Sequence, residues 1–392
     1  MVNRPDSAAV PGGDTVQMLK TRAALQELGI DVDVSCEMAP ASRGYDLAHL
    51  FNLQRPRETL CQVESCRQHG TPTALSSIIY DFWRVRLETS RHWLAARRAL
   101  TPFSRAPRWE RGETVRPILA PFCWVEANWL APCSKTWRRQ RRILTLVDMV
   151  LPNSDGEARF LKRHFGLRLG GRIAKVPNAI DPGWAEFDAS RRMTESPHSG
   201  PPASRAGSQP PVPADCVLQV GRIEPLKNQL ATIRAMAANR IPLVFVGDAP
   251  EVSRDYERRC RELAQRRGNV TFISRVGHDD LRSIYARARV HVLPSFGETT
   301  GLVSLEAALM GCNIVTTNQA PTREYFGPWA WYCFPASISS IRCAIQAAYD
   351  APRRPELKER ILANFTWREA AVQTLAAYEL VLQRRAGGLL RP

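Results

Sequence analysis

The stretch SFGETTGLVSLEAALMGCNIVTT, Ser295 to Thr317, places two carboxylates, Glu298 and Glu306, in a segment otherwise composed for burial. VHVLPS, just before it, reads as a strand, and GLVSLEAALMG reads as a helix opening at Gly301 and Leu302. The first turn of a helix carries free backbone N–H groups and a partial positive charge, which suit a phosphate. Glu306 falls about one turn inside the helix and Glu298 in the loop before it. The acids read in two ways. Glu298 is a helix-start acid favoured by the dipole and Glu306 faces solvent, or both grip hydroxyl groups of a bound molecule.

Upstream, the order is strand CVLQV, helix QLATIRAMAANR, strand IPLVFVG, helix EVSRDYERRCRELAQRRG, strand VTFIS, helix HDDLRSIYARA and strand VHVLPS. Strands separated by helices call for a parallel sheet with right-handed crossovers. The first half repeats the pattern more loosely. DTVQMLKTRAALQELGI spaces Val16, Leu19, Leu25 and Leu28 as a helix does, DVDVS reads as a short strand, and YDLAHLFNL, PTALSSI and VDMVLPNS as further strands. Between Ser196 and Ala214 six prolines fall in nineteen residues, the composition of a linker. The chain therefore divides into a first α/β domain over 1–195, a linker over 196–214 and a second α/β domain over 215–365. A C-terminal helix over 366–392 is expected to pack back on the first domain. Ligands of such sheets bind beyond the carboxyl ends of the strands, and two of them face to face make a cleft.

One such strand end is VLQVGRIEPLKNQ, which sets Arg222 and Lys227 in the loop after the strand, with Gly221 giving room for backbone approach. Two cations five positions apart can neutralise a diphosphate without a metal ion. The alternative is a pair of solvated loop charges. Lysine is scarce here, six against 48 arginines, which makes Lys227 informative. With a diphosphate at this loop, a ribose diol on one acid and a sugar on the other, the two loops together fit a nucleotide-diphosphate sugar.

Composition sets outer limits. With 392 residues, 44% of them apolar and 23% charged, the chain is that of a folded protein of two or three domains. No apolar run approaches the roughly 18 residues of a membrane span, and Met1 to Val10 carries charges and no apolar core of a leader. Ten cysteines lack metal-site spacing, which suits a reducing cytoplasm. The net charge of +16 favours anionic partners. From Arg84 to Arg142 fourteen basic residues face four acidic ones, interleaved with Trp93, Trp109, Trp124, Trp129 and Trp137. This insertion is either a patch for an anionic acceptor or for peripheral contact at the inner face of a membrane, or a solvated excursion whose tryptophans pack inward.

The segments VGRIEPLKN, VFVGDAP, LRSIYARARVHVLPSFGETTGLVSLEAALMGCNIVTT and TREYF, in this order, resemble the signature of glycosyltransferase family 4, retaining enzymes with the two-domain GT-B fold. Upstream, GGDTVQMLKTRAALQELGIDVDVS, DMVLPNS and VPNAID resemble the family's glycine loop, middle strand and pre-linker segment. The resemblance implies an α/β protein of two Rossmann-like domains and a nucleotide-sugar donor held mainly by the second. Arg222 and Lys227 hold the diphosphate, completed by the backbone at Thr300, Gly301 and Leu302. Glu306 binds the ribose, Glu298 the transferred sugar, and Gly13 approaches from the first domain. It further implies front-face transfer in which the leaving phosphate helps deprotonate the acceptor, with no protein nucleophile, no metal and no cofactor beyond the donor substrate. The acceptor is a saccharide or a lipid-linked molecule in cell-surface glycan synthesis, not nucleic acid.

The chain departs from that pattern at a few places. Where the family often has a histidine, PTALSSIIYDFW offers Tyr80 and Asp81, and Asp81 either orients an acceptor hydroxyl or is an ordinary loop acid. Ala179 replaces the usual glycine of PNGID, and Ala320-Pro321 a glycine pair before Glu324. MVNRPDSAAVPGGD supplies little of the buried strand expected before the glycine loop, which implies a very short strand or a start codon assigned too late. Two other classes compete with an enzyme. A degenerate nucleotide-sugar binder fits the departures, and a nucleic-acid or anionic-surface binder fits the charge but leaves both glutamates unexplained.

Overall fold

The apolar runs that read as strands form two parallel sheets in the computed structural model, which describes residues 1–9, 12–80, 134–186, 212–318 and 320–387. Asp81, most of the basic insertion and most of the proline-rich stretch lie outside the described residues. The chain separates into two units. Among the described residues the first takes 1–80, 134–180 and 364–387, and the second takes 181–186 and 212–363.

In the first unit β1 (Ala48–Phe51), β2 (Thr73–Ser76) and β3 (Met149–Leu151) run parallel in that order. Every residue of these three strands is buried, as a sheet covered by helices on both faces requires. Single-residue parallel bridges extend the sheet, from Val2 to both Ser35 and Leu50 on one side and from Val150 to Ile173 on the other. DVDVS thus contributes one bridging residue instead of a strand. Its described partner is the short segment at Val2, which gives it two ladder hydrogen bonds, Asn3 N to Ser35 O at 3.0 Å and Ser35 N to Met1 O at 2.9 Å.

The helix Trp367–Ala386 belongs to this unit. Its Trp367, Ala371 and Val381 share a buried cluster with Ala74, Met149 and Leu151 of the sheet. The Tyr378 hydroxyl lies 2.6 Å from His49 Nδ1, whose other ring nitrogen lies 2.9 Å from Ser76 Oγ. Burial holds the His49 ring neutral, its pKa lowered to about 3, so this contact joins neutral groups on two strands and the terminal helix.

The second unit has six parallel strands: β4 (Cys216–Val220), β5 (Leu243–Val246), β6 (Val270–Ile273), β7 (Ala288–Leu293), β8 (Asn313–Thr317) and β9 (Trp331–Cys333). Their spatial order is β6-β5-β4-β7-β8-β9, so the order reverses between β4 and β7. Val217, Phe245, Val290 and Val315 meet Ile233 and Ile345 from the helices in one buried cluster. This unit begins at Asp181, and Trp184 anchors its start, packing 5.8 Å from both His278 and Tyr285 and lying under Arg282. No helix among the described residues is long and apolar enough to cross a membrane.

Candidate active site

The reversal between β4 and β7 parts the loops that follow them, and such a switch point is where ligands of open parallel sheets bind. The loop after β4 carries Arg222 and Lys227. The loop after β7 carries Glu298, Thr300 and Gly301, and leads into the helix Leu302–Leu309. Phe296 N donates to Leu226 O at 3.0 Å, which ties one loop to the other. Across that tie Lys227 Nζ donates to Glu298 Oε2 at 2.7 Å, and the two side chains are only 18% and 11% exposed.

Three polar side chains missing from the sequence-based candidates fix the loop after β4. Gln219, buried inside β4, donates to Lys227 O at 2.6 Å and accepts from Thr232 Oγ1 at 2.8 Å. Asn228 adopts a left-handed φ of 63° and donates to Pro294 O at 3.1 Å and Pro335 O at 2.7 Å. Gln229 donates to Arg222 O at 2.8 Å. Their signal in the sequence was a glutamine inside the apolar run CVLQV and the pair Asn228-Gln229 straight after the lysine, since a polar group is buried only where it finds partners. Replacing Asn228 by Ala leaves two buried carbonyls without its amide. The variant is expected to lose about 2–3 kcal/mol of stability in thermal unfolding, and an unchanged transition would show that the loop does not depend on it.

Glycines set the backbone of both loops. Gly221 and Gly247, at the ends of β4 and β5, adopt φ of 139° and 133°, and a Cβ on Gly247 would fall 2.4 Å from Gly221 O. Gly301 caps the helix Leu302–Leu309 with φ 82°. The first N–H groups of a helix find no acceptor within it, so the backbone at Gly301 and Leu302 offers donors close to the Lys227–Glu298 pair. Thr300 is buried and donates from Oγ1 to Tyr325 OH at 3.2 Å.

Glu306, one turn along, accepts from Tyr285 OH at 3.1 Å through Oε2. It is half-buried by exposed area, yet the protein packed around it removes most of its solvation and pushes its carboxyl up to about 7, against the lowering effect of the Tyr285 hydrogen bond. Glu306 therefore does not stand on a freely solvated face. Behind it His291 is fully buried, with Nδ1 3.3 Å from Ser304 Oγ, and burial with the nearby Lys227 charge lowers its pKa to about 3.

The structure thus brings Lys227, Glu298 and the helix start at Gly301 and Leu302 together, while Glu306 lies about one turn further along the same helix, against Tyr285. Arg222 shares their loops but leans outward, 57% exposed, with Nη2 3.2 Å from Glu224 Oε1. Gly13 is the first residue of the helix Gly13–Glu27 in the other unit, beside an Arg4–Asp14 ion pair of 2.8 Å. Asp81 lies outside the described residues.

Residues 202–364 match the family model for glycosyl transferases group 1. The glycogen synthase of Mycobacterium tuberculosis H37Rv is 28% identical over 328 residues, which cover 76% of this chain and 69% of the relative. O-antigen chain mannosyltransferase B of Escherichia coli is 30% identical over 174 residues, 42% of this chain and 45% of that protein. Among solved structures, a sucrose-phosphate synthase from Thermosynechococcus elongatus superposes with a TM-score of 0.67 at 18% identity over 97% of this chain and 98% of its own. Anabaena HepE in complex with UDP gives 0.58 at 15% identity, covering 99% and 98%. At such identities the structures establish the fold, which is α/β with two parallel-sheet units, the GT-B class.

Proposed function

We propose, from the match of residues 202–364 to the family model for glycosyl transferases group 1, that the chain is a retaining glycosyltransferase moving a sugar from a nucleotide-diphosphate sugar to a saccharide or lipid-linked acceptor. The observation that carries the proposal is the Lys227–Glu298 contact of 2.7 Å at the switch between β4 and β7, against the opening turn of the helix Leu302–Leu309. A cation, free N–H groups and a carboxylate meet there, which are the groups a diphosphate joined to a sugar needs.

In this reading the donor diphosphate lies on Lys227 and the backbone at Thr300, Gly301 and Leu302. Arg222 swings in from its exposed position to share the charge. Glu306 accepts from the ribose hydroxyls, and Glu298 turns from Lys227 to the hydroxyls of the transferred sugar. The sugar–phosphate bond breaks as the acceptor oxygen bonds to the anomeric carbon on the same face. A phosphate oxygen of the leaving group takes the acceptor proton, so no protein nucleophile or metal is required. Stabilising the departing diphosphate is then the largest catalytic contribution. We place the enzyme in the cytoplasm, in cell-surface glycan synthesis, with Gly13 contributing to nucleotide-sugar binding and Asp81 orienting the acceptor hydroxyl. Contact of the basic insertion with an anionic membrane belongs to the same proposal.

The test is turnover of labelled uridine-, guanosine- and adenosine-diphosphate sugars with saccharide and lipid acceptors, reading the anomeric configuration of the product by NMR. Retention with one donor is the expected result. Inversion would overturn the front-face mechanism. Nucleotide binding without turnover of any donor would favour the degenerate binder.

A further inference from the structure

Glu306 is held by a residue that the family resemblance did not single out. Tyr285 comes from the helix His278–Arg287 and is fully buried, and its hydroxyl lies 3.1 Å from Glu306 Oε2 and 3.0 Å from Val303 O. Its ring is fixed edge-on by Trp184 at 5.8 Å and His291 at 5.9 Å. A phenol has one proton to give. When Glu306 is ionised the phenol O–H points at the carboxylate, because a charged acceptor makes the stronger bond. When Glu306 is protonated its own O–H can donate to the phenol oxygen, and the phenol proton then goes to Val303 O. The same heavy-atom geometry serves both states.

We propose that Tyr285 is a positioning residue for ribose recognition: its hydroxyl, bonded to Glu306 Oε2, holds that carboxylate where it accepts from the ribose diol. The proposal rests on the nucleotide-sugar reading above. A ribose diol gives two hydrogen bonds and needs an acceptor-only partner, so a protonated Glu306 recognises it poorly. With the Glu306 carboxyl pushed up to about 7, ribose recognition is present above that pH and fades as pH falls through it. The Tyr285 hydrogen bond lowers that pKa, so its removal moves the fade to higher pH.

The surrounding groups allow this change to be read. His291 of β7 is kept neutral, its pKa lowered to about 3 by burial and by Lys227 from the loop after β4. Cys312, ahead of β8, donates to Tyr285 O at 3.3 Å, and burial pushes its thiol up to about 12. Burial raises the Tyr285 phenol well above its ordinary range. Arg282, one turn before Tyr285 on the same helix, and His278, two turns before it, pack against Trp184. A Glu306→Gln variant separates any contribution of His278 from that of Glu306.

The experiment titrates the intact protein and its Tyr285→Phe and Glu306→Gln variants with uridine, guanosine and adenosine diphosphates, each beside its 2′-deoxy form, from pH 6 to 9. For the nucleobase that binds, the wild type is expected to prefer the ribose form. Tyr285→Phe should weaken the ribose form at pH 7 by about three- to tenfold, leave the deoxy form nearly unchanged, and move the pH midpoint upward. Glu306→Gln should abolish the pH dependence of the preference for ribose over deoxyribose, the titration of the terminal phosphate being common to both forms. Equal weakening of both forms, or an unchanged preference and midpoint, would overturn the positioning role while leaving the nucleotide-sugar reading intact. A wild type that binds none of the diphosphates would overturn that reading, and one that binds without ribose preference would overturn the role of Glu306.

Discussion

Replacing Lys227 by Ala is expected to lower sugar transfer by about two to three orders of magnitude and to remove most of the stabilisation that a nucleoside diphosphate gives the wild type. Lys227 is the cation that the fold places at the switch point, pinned through Gln219 and facing Glu298 at 2.7 Å. A diphosphate leaving group develops charge as its bond to the sugar breaks, and a fixed ammonium in a half-buried site stabilises that charge without reorganising. Arg222→Ala should cost less, because that side chain is 57% exposed and must be drawn in. Glu298→Gln tests the other half of the pair: transfer should fall sharply while nucleoside diphosphate binding persists, since this acid is assigned to the sugar. Turnover and thermal-shift assays on the three variants check the ranking. Equal turnover in Lys227→Ala and wild type would exclude the assigned role.

Gly247→Ala is expected to be the most destabilising single-atom change near the site, at roughly 2–5 kcal/mol. Its φ of 133° is foreign to residues with a side chain, and the added Cβ would meet the Gly221 carbonyl oxygen at 2.4 Å and its carbon at 2.9 Å. Both are backbone atoms, so relief requires moving the end of β4, and with it the loop that carries Arg222 and Lys227. Gly166 supplies the comparison. It sits in the left-handed helical well with φ 59° and ψ 32° and nothing within 4 Å of an added Cβ, so Gly166→Ala should cost only about 1 kcal/mol. Thermal unfolding of the two variants separates collision from strain, and equal losses would mean that the contact between the strand ends is not tight.

Much of the second unit was legible in the sequence because its strands are short, mostly apolar runs between helices of clear period. β4, β5, β6 and β7 fall where CVLQV, IPLVFVG, VTFIS and VHVLPS predict them. The loops after β4 and β7 were legible for a different reason: glycines, cations and acids sat in runs whose apolar neighbours could not account for them. What escaped notice was the support behind those loops. Gln219, Asn228, Tyr285 and His291 act through partners remote in sequence, and no local spacing announces a hydrogen bond from Tyr285 to Glu306.

The first unit was less legible. In the helix Gly13–Glu27 the buried face includes Met18, Thr21, Ala24 and Leu25, while Val16 and Leu19 of the apolar pattern are left exposed. The strand expected of DVDVS is a single bridge, because strand formation there depends on a partner at Val2 that pairs over one residue. Periodicity specifies which face could be buried, and the packing partner decides which face is.

The central claim is that a diphosphate sits between Lys227 and the first turn of the helix Leu302–Leu309. The most direct measurement is a crystal structure of the protein with whichever of the uridine, guanosine or adenosine diphosphates stabilises it most. Phosphate oxygens are expected within hydrogen-bond distance of Lys227 Nζ and of the backbone N–H groups at Gly301 and Leu302, with the ribose hydroxyls on Glu306. A nucleotide bound elsewhere, with Lys227 still on Glu298 and Glu306 untouched, would contradict it.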